Sequence, residues 1–220
     1  MRRSRSSVST TGALRLAAVG LVALTLLTGC MTGKRPSLGI APTAAGVETG
    51  DANIDTVLAL FDSVSTAVFT AQYSATLRFG GTVTPVTVTQ NAPDERSVTI
   101  GDTRYLTEAT GTRTCTVSTG TCVEGIDPQP VSNTGVASEL TFGDVAKRLR
   151  RFAGSRTAAT TATQNTIAGQ PATCVDLPLG TNTSTFCVLA NGVLGRVVDG
   201  DITVELTTYS SASDPSLFAP

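Results

Sequence analysis

The apolar positions of the chain change their spacing along its length, and the first segment is a short apolar block. Residues 16–27 (LAAVGLVALTLL) are almost entirely apolar, and Arg2, Arg3 and Arg5 precede them. This block is shorter than the about 20 residues that a helix needs to span a bilayer. A basic start followed by a short apolar core is typical of a secretory signal peptide.

The apolar block ends in a bacterial lipobox, Leu27-Thr28-Gly29-Cys30. A leucine, two small residues and a cysteine at this place favour acylation of the thiol and cleavage before it. We therefore predict a signal peptide over residues 1–29, lipidation of Cys30, and an exported protein anchored to the outer face of the cytoplasmic membrane. The alternative is a non-lipidated export signal that ends near a cysteine by coincidence.

Residues 30–50 have no apolar period and are rich in Gly, Pro, Thr and Ala, which predicts a lipidated N-terminus followed by a flexible tether. A single domain is expected over residues 51–220. It opens with an amphipathic helix that has Asn53 as its N-cap. The apolar residues at helical spacing are Ile54, Val57, Leu58, Phe61, Val64 and Val68.

Alternation of apolar and polar residues then replaces the helical period and predicts short strands joined by tight turns. The first has Tyr73, Ala75, Leu77 and Phe79 on one face. Tight turns between consecutive strands require antiparallel pairing. The strands are expected at 73–79, 82–90, 96–100, 103–108, 113–117 and 121–124.

A second helix is predicted from Thr141, where Thr141-Phe-Gly-Asp144 resembles a capping box, to a stop at Gly154. Its apolar stripe is Leu140, Phe142, Val145, Leu149 and Phe152. Further strands are expected at 166–177, 185–189, 193–198 and 202–209. The fold class is therefore α+β, a curved antiparallel β-sheet with the helices on one face.

Four cysteines follow Cys30, and an even number in an exported domain predicts two disulfides. Four cysteines allow three pairings. Hairpin geometry favours Cys115 with Cys122 and Cys174 with Cys187, because each pair lies on two strands joined by one turn. A zinc site is the alternative, but the chain has no histidine and no C-x-x-C motif.

Charge and composition restrict the function. Four of the 16 basic residues precede Cys30, so the remaining 12 stand against 17 acidic residues, a net charge of −5. Nucleic acid is therefore not an expected partner. The missing histidine excludes Ser-His-Asp and Cys-His catalysis, and no phosphate-binding or dinucleotide motif occurs. We expect a non-enzyme without a metal ion or another cofactor.

Several segments together resemble the LolA/LolB superfamily, in particular lipid-binding bacterial lipoproteins of the LprG/LppX type. They are the lipobox, the helix 54–72 leading into Tyr73-Ser-Ala-Thr-Leu77, Gly101–Tyr105, 167–176, 186–196 and 204–209. The resemblance covers most of residues 51–220. It implies a strongly curved sheet, or incomplete barrel, with two or more helices packed on its concave face and acyl chains held between them.

The resemblance implies that the protein binds or carries a lipid or a lipoprotein acyl group. Period and alternation direct the candidate lining residues to one interior: Leu58, Phe61, Leu77, Phe79, Val88, Phe142, Val145 and Leu149. The alternative is a cell-envelope module with a filled core that binds a protein partner and no ligand. The sequence does not separate these two functions, since the same apolar face serves either.

Basic residues are concentrated on the second helix, at Lys147, Arg148, Arg150 and Arg151. One interpretation is contact with an anionic membrane surface, to which each basic residue contributes about 1 kcal/mol. The other is a solvated helix face with basic residues placed favourably near the helix C-terminus.

Overall fold

A computed structural model describes residues 48–219 of the protein. The predicted signal peptide over 1–29, the lipidated Cys30 and nearly all of the predicted tether lie outside these residues. The helices are α1 Ala52–Asp62, α2 Gln129–Thr134 and α3 Gly143–Ala153, with 3-10 turns at Ser63–Thr66 and Pro215–Phe218. The strands are β1 Phe69–Leu77, β2 Val83–Ala92, β3 Glu95–Ile100, β4 Thr103–Glu108, β5 Gly111–Thr116, β6 Thr121–Glu124, β7 Thr161–Ile167, β8 Gln170–Leu179, β9 Asn182–Leu189, β10 Leu194–Val198 and β11 Ile202–Ser210.

The N-cap of helix α1 is Asp51 and not the predicted Asn53. The Asp51 carboxylate accepts hydrogen bonds from the backbone N–H groups of Asn53 and Ile54, which would otherwise lack partners in the first turn. The helix ends at Asp62, because the Ser63 hydroxyl bonds the Leu60 carbonyl at 2.7 Å and the chain tightens into a 3-10 turn. The predicted continuation of this helix to residue 72 is therefore wrong.

All eleven strands pair antiparallel in one sheet, in the order β6-β5-β4-β3-β2-β1-β11-β10-β9-β8-β7. The sheet consists of two meanders, β1–β6 and β7–β11, that meet where β1 pairs with β11. Ala75 lies opposite Val204 in this central pair. The sheet does not close, since β6 and β7 form its two edges. The predicted antiparallel sheet with helices is thus confirmed.

One hydrophobic core cluster includes residues from α1, α3 and strands on both sides of the central pair, among them Tyr105 of β4 and Val175 of β8. The two helices contact each other and strand β8, and α1 also contacts β9. Aromatic pairs join α3 to both meanders. Phe142 lies 6.3 Å from Phe69 of β1, and Phe152 lies 6.1 Å from Phe186 of β9, between ring centroids.

Strand β7 was not predicted as a separate element. Its sequence, TATQNTI, is exposed at every position except Ile167, which is half-buried. An edge strand with solvent on both faces has no alternation of apolar and polar residues, so the sequence does not identify it as a strand. The predicted strand over 166–177 spans the turn that in fact separates β7 from β8.

The C-terminal segment covers part of the sheet face opposite the helices. The backbone N–H of Asp214 donates to Thr89 Oγ1 at 3.0 Å, and the 3-10 turn Pro215–Phe218 contacts β3. Arg104 of β4 donates to the Ala219 carbonyl. On β4, Leu106 is fully buried although it does not belong to the main core cluster.

Both disulfides join neighbouring strands directly across the sheet, Cys115–Cys122 between β5 and β6 and Cys174–Cys187 between β8 and β9. These are the pairings that hairpin geometry predicted. No helix within residues 48–219 has the length and apolar character to cross a membrane.

Candidate functional site

An open groove of about 280 Å³ lies between the end of α1, the β2–β3 turn and the first turns of α3. We call it the α1–α3 groove. Its floor is apolar and almost completely buried, formed by Phe61, Val64, Phe142 and Ala146. Its charged residues are Asp62, Arg96, Glu139, Lys147 and Arg150. An apolar floor with a few convergent polar groups is the ordinary composition of a binding site.

Gln90 of β2 fixes one wall of the groove. Its side-chain amide donates to the carbonyl groups of Val64, Ser65 and Ala67 at 2.8, 3.2 and 2.8 Å. The side chain is only 1% exposed, so these hydrogen bonds are shielded from water. The 3-10 turn after α1 is therefore held to the sheet by a buried polar contact.

Arg96 of β3 forms the opposite wall of the groove and contacts the residues at the start of α3. Its guanidinium carbon lies 4.1 Å from the centroid of the Phe142 ring, and its Nη2 lies 3.1 Å from Glu139 Oε1. A guanidinium over an aromatic face gains a cation–π attraction of about 0.5–2 kcal/mol.

The predicted capping box at Thr141 is wrong, since α3 has no side-chain cap and Phe142 is its N-cap residue.

Arg150 is the least satisfied charged group of the groove. Its side chain is 4% exposed, and its one hydrogen bond runs from Nη2 to Asp62 Oδ1 at 3.4 Å, the long limit for such a bond. Its Nε is buried and has no hydrogen-bond partner among the described residues. A guanidinium has five N–H donors, and an unsatisfied buried donor costs about 1–3 kcal/mol. The described residues therefore leave part of the hydrogen-bonding capacity of Arg150 unused.

Most of the candidate lining residues lie in the hydrophobic core. Six of them are at most 4% exposed and belong to the core cluster: Leu58, Phe61, Val88, Phe142, Val145 and Leu149. Leu77 is partly buried and lies against Gly135. Phe61 and Phe142 are the two members that line the α1–α3 groove.

Phe79 corrects the prediction most clearly, because its side chain is 96% exposed. Strand β1 ends at Leu77, so the alternation that placed Phe79 on the interior face stops two residues before it. Gly80 and Gly81 then turn the chain with φ angles of +86° and +65°.

The basic residues of α3 do not form one surface. Arg148 donates to Asp199 Oδ2 at 2.5 Å, where the carboxylate is fully buried, and Arg150 faces the groove. Lys147 is 61% exposed and pairs with Asp144 at 3.3 Å. Arg151 is exposed. Arg148 and Arg150 thus form ion pairs within the domain, and the membrane-contacting face of this helix stays a prediction.

The residues that complete the groove were not identified from the sequence. Asp62, Gln90, Arg96 and Glu139 belong to four different parts of the chain and meet only through the sheet register and the crossing of α3. A local motif cannot reveal them. The one signal in the sequence was an arginine, Arg150, next to the apolar stripe of a short helix.

A second, polar groove of about 320 Å³ lies on the sheet face away from the helices. It is lined by Thr163 of β7, Asp176 of β8, Arg196 of β10 and Glu205 of β11. These strands span four spacings of about 4.8 Å in the sheet order, so side chains that share one groove indicate a bent sheet. The Asp176 carboxylate accepts a hydrogen bond from Thr185 at 2.6 Å.

No protein-family model matches the chain, and no curated protein matches it in sequence. Solved structures do match in fold. The complex structure of Pseudomonas aeruginosa MucA/MucB aligns with 76% of this chain and 60% of that chain, at 7% identity and a TM-score of 0.50. The crystal structure of MucB in complex with MucA(peri) aligns with 76% and 59%, at 7% identity and a TM-score of 0.49.

The crystal structure of MucB aligns with 78% of this chain and 64% of that chain, at 10% identity and a TM-score of 0.46. The chain thus spans less than two thirds of the length of each of these structures. At such identities the similarity concerns the fold alone. The chain shares the architecture of part of the Pseudomonas aeruginosa MucA/MucB structure.

Proposed function

We propose that the chain is an exported, lipid-anchored and non-enzymatic domain that binds a protein partner in the cell envelope through the α1–α3 groove. The observation that carries the proposal is Arg150, a nearly buried arginine with an unpartnered Nε beside an apolar floor. Its geometry suits a segment that presents a carboxylate next to a large apolar side chain.

The energetics of such a contact favour a short, specific anchor. A carboxylate can accept two parallel hydrogen bonds from a guanidinium, and charge-assisted bonds are about twice as strong as neutral ones. The adjacent floor of Phe61, Val64 and Phe142 would bury the apolar side chain. A buried apolar anchor next to a desolvated arginine is typical of the few residues that dominate protein interfaces.

The comparisons support this function by analogy. A MucA/MucB complex is the solved structure with a TM-score of 0.50, so a related architecture occurs in a protein with a protein partner. Two disulfides also support export, because they persist in oxidising compartments. We further propose a distant relationship to the LolA/LolB superfamily, with the sheet bent into an incomplete barrel around α1 and α3.

An acyl ligand is the second candidate, and the observation that favours it is the apolar floor of the same groove. Six of the candidate lining residues belong to the core cluster, and of these only Phe61 and Phe142 line the groove. A charged rim of Asp62, Glu139 and Lys147 also suits a polypeptide better than a hydrocarbon chain. We therefore rank protein binding first.

The proposed anchor is tested by the variant Cys30→Ala. Loss of the only cysteine in the lipobox should release the protein from the membrane fraction or leave an uncleaved precursor. Fractionation with detergent partitioning measures this outcome. A variant that is processed and partitions like the wild type would contradict the anchor.

The proposed groove is tested with peptides, because the partner itself is unidentified. Peptides selected from a random displayed library on the mature protein should combine an aspartate or glutamate with a large apolar residue. Titration should show that Arg150→Gln weakens these peptides by about tenfold or more, equivalent to about 1.4 kcal/mol. Arg151→Gln, an exposed arginine on the same helix, is the matched control and should bind normally.

Equal affinity for the wild type and Arg150→Gln would contradict the peptide-binding role of the groove. Melting temperatures of both variants separate a binding defect from loss of structure. Native mass spectrometry of the mature protein tests the second candidate. Lipid that co-purifies and is displaced by a bulky substitution at Ala146 would favour the acyl ligand.

A further inference from the structure

Phe79 stands at the tip of the β1–β2 hairpin and touches almost nothing in the described residues. It is 96% exposed, and Val83, at the start of β2, is 60% exposed. Two exposed apolar side chains on one tight turn cost free energy in water, since each leaves apolar surface unburied. Such a turn is typical of a surface that meets an apolar environment.

The hairpin lies at the same end of the strands as Asp51, the N-cap of α1. Hydrogen-bonded register partners form one row across the sheet: Thr161, Asp176, Thr185, Val198, Thr203, Thr76 and Val83. Thr160, next to this row, donates to the Asp51 carboxylate at 2.8 Å, and Asp51 is the residue at which α1 begins. The row therefore connects Asp51 to the Phe79 turn.

The opposite end of the strands holds the α1–α3 groove. The 3-10 turn after α1 and the β2–β3 turn, which line the groove, both lie at the end where β1 begins. The distance along β1 from Val68 to Phe79 is about 35 Å at about 3.3 Å per residue. The groove and the Phe79 turn are thus separated by the length of the sheet.

The length of chain before the described residues allows this orientation. Residues 31–47 lie between the predicted lipidated cysteine and Glu48. A segment of this length can reach at most about 60 Å. A domain held this close to a bilayer can bring a protruding hairpin into contact with it.

The exposed charges near the turn have both signs. Arg78 is exposed and, within residues 48–219, forms no ion pair, so it can approach lipid phosphate groups. Its backbone N–H donates to the Asp201 carbonyl at 2.9 Å. The exposed carboxylates of Asp201 and Asp102, in neighbouring turns, oppose contact with anionic lipid. The contact therefore rests on the apolar side chains of Phe79 and Val83.

We propose that the β1–β2 hairpin inserts Phe79 into the outer leaflet of the phospholipid bilayer to which the protein is anchored. This contact orients the domain with the α1–α3 groove directed away from the membrane. It rests on the proposed lipid anchor at Cys30 and is independent of what the groove binds. An aromatic side chain at a membrane–water interface is favoured because its apolar ring enters the acyl boundary.

The test uses the absence of tryptophan from the sequence. Each variant then has a single tryptophan, so selective excitation of Phe79→Trp reports the position of the hairpin directly. The lipidated full-length protein is reconstituted into vesicles of phosphatidylcholine and phosphatidylglycerol, with and without brominated acyl chains. We expect the emission of F79W to shift to shorter wavelength on reconstitution and to lose intensity when the chains are brominated.

Val68→Trp is the matched control, because Val68 is an exposed apolar residue at the opposite end of β1. Its emission should be the same with and without bromine. Equal quenching in both variants would overturn the proposal. The absence of quenching in F79W, measured on protein that floats with the vesicles, would overturn it as well. Failure of the protein to float with the vesicles would instead contradict the anchor at Cys30, and the peptide titrations test the groove separately.

Discussion

Gly192, in the turn between β9 and β10, lies directly against the backbone of Leu60 at the end of α1. A Cβ atom on Gly192 would stand 2.5 Å from the Leu60 carbonyl oxygen and 2.5 Å from the Val64 nitrogen. Real Cβ atoms do not approach backbone atoms this closely. The turn and the helix end are thus in contact only because residue 192 has no side chain.

The substitution Gly192→Ala should therefore destabilise the domain strongly. The residue has a φ of +84°, for which a side chain costs about 1–3 kcal/mol, and the contact with α1 adds an overpacking cost of about 1–3 kcal/mol. We expect the free energy of unfolding to fall by about 3 kcal/mol or more in urea titrations.

Gly120→Ala separates the two causes. Gly120 has a φ of +65°, but nothing lies within 4 Å of a Cβ placed there. This variant should lose only about 1 kcal/mol. Equal losses at the two positions would show that backbone conformation, and not the contact with α1, determines the effect.

Val145→Trp tests whether the interior is filled. Val145 has no exposed surface and belongs to the core cluster. Added bulk in a packed core costs about 1–3 kcal/mol, so the melting temperature should fall. Unchanged stability together with the loss of a bound lipid would instead indicate an open cavity and favour the acyl ligand.

The elements that were predicted correctly are those in which the spacing of apolar residues follows from contacts within one short segment. Val86 and Val88 alternate with threonines, and the strand they predict is β2, which bears both residues on the buried face. The cysteine pairs followed from single hairpins. Strand β7 was missed because neither of its faces is buried, so its sequence shows no apolar alternation. The end of α1 was placed too late because serine and threonine hydroxyls terminate the helix early.

The groove required information that no local pattern contains. Arg96 and Glu139 form an ion pair at 3.1 Å although 43 residues separate them in sequence. Their contact depends on the sheet register and on the path of the chain between β6 and α3. The prediction for Phe79 was wrong for a different reason. The alternation of apolar and polar residues was extended beyond Leu77, the last residue of β1.

The two disulfides should contribute comparable stability. They close short loops, with separations of 7 and 13 residues, and the chain-entropy account gives about 2–3 kcal/mol for each. Replacing either pair by serine should lower the free energy of unfolding by that amount. A much larger loss at Cys174 and Cys187, which lie beside the polar groove, would show that they also position the strands that line it.

Acid should weaken the start of α1. Burial raises the pKa of Asp51, but hydrogen bonds from Thr160 and from the N–H groups of Ile54 and Asn53, together with Arg156, outweigh it and hold the pKa below its ordinary value of 3.8. The stability from this carboxylate is therefore complete above pH 3.8 and is lost as the pH falls below it.

The variants of Asp51 separate the charge from the cap. Asp51→Asn keeps a capping side chain, so its deficit in stability against the wild type should shrink as the pH falls below 3.8. Asp51→Ala loses the cap as well and should be about 1 kcal/mol less stable than Asp51→Asn at neutral pH. A deficit of Asp51→Asn that does not change with pH would contradict the role of the charge.

The pairing of β1 with β11 determines when the sheet can be completed. Within each meander, every strand pairs only with the strands next to it in sequence. The central pair instead joins residues that are far apart in sequence, such as Thr70 and Ser210. Loop closure over such a distance is slow compared with hairpin formation. Until β11 is available, β1 therefore has an unpaired edge in the middle of the future sheet. The sheet is completed only by its last strand, so a chain that lacks this strand is the state most prone to aggregation.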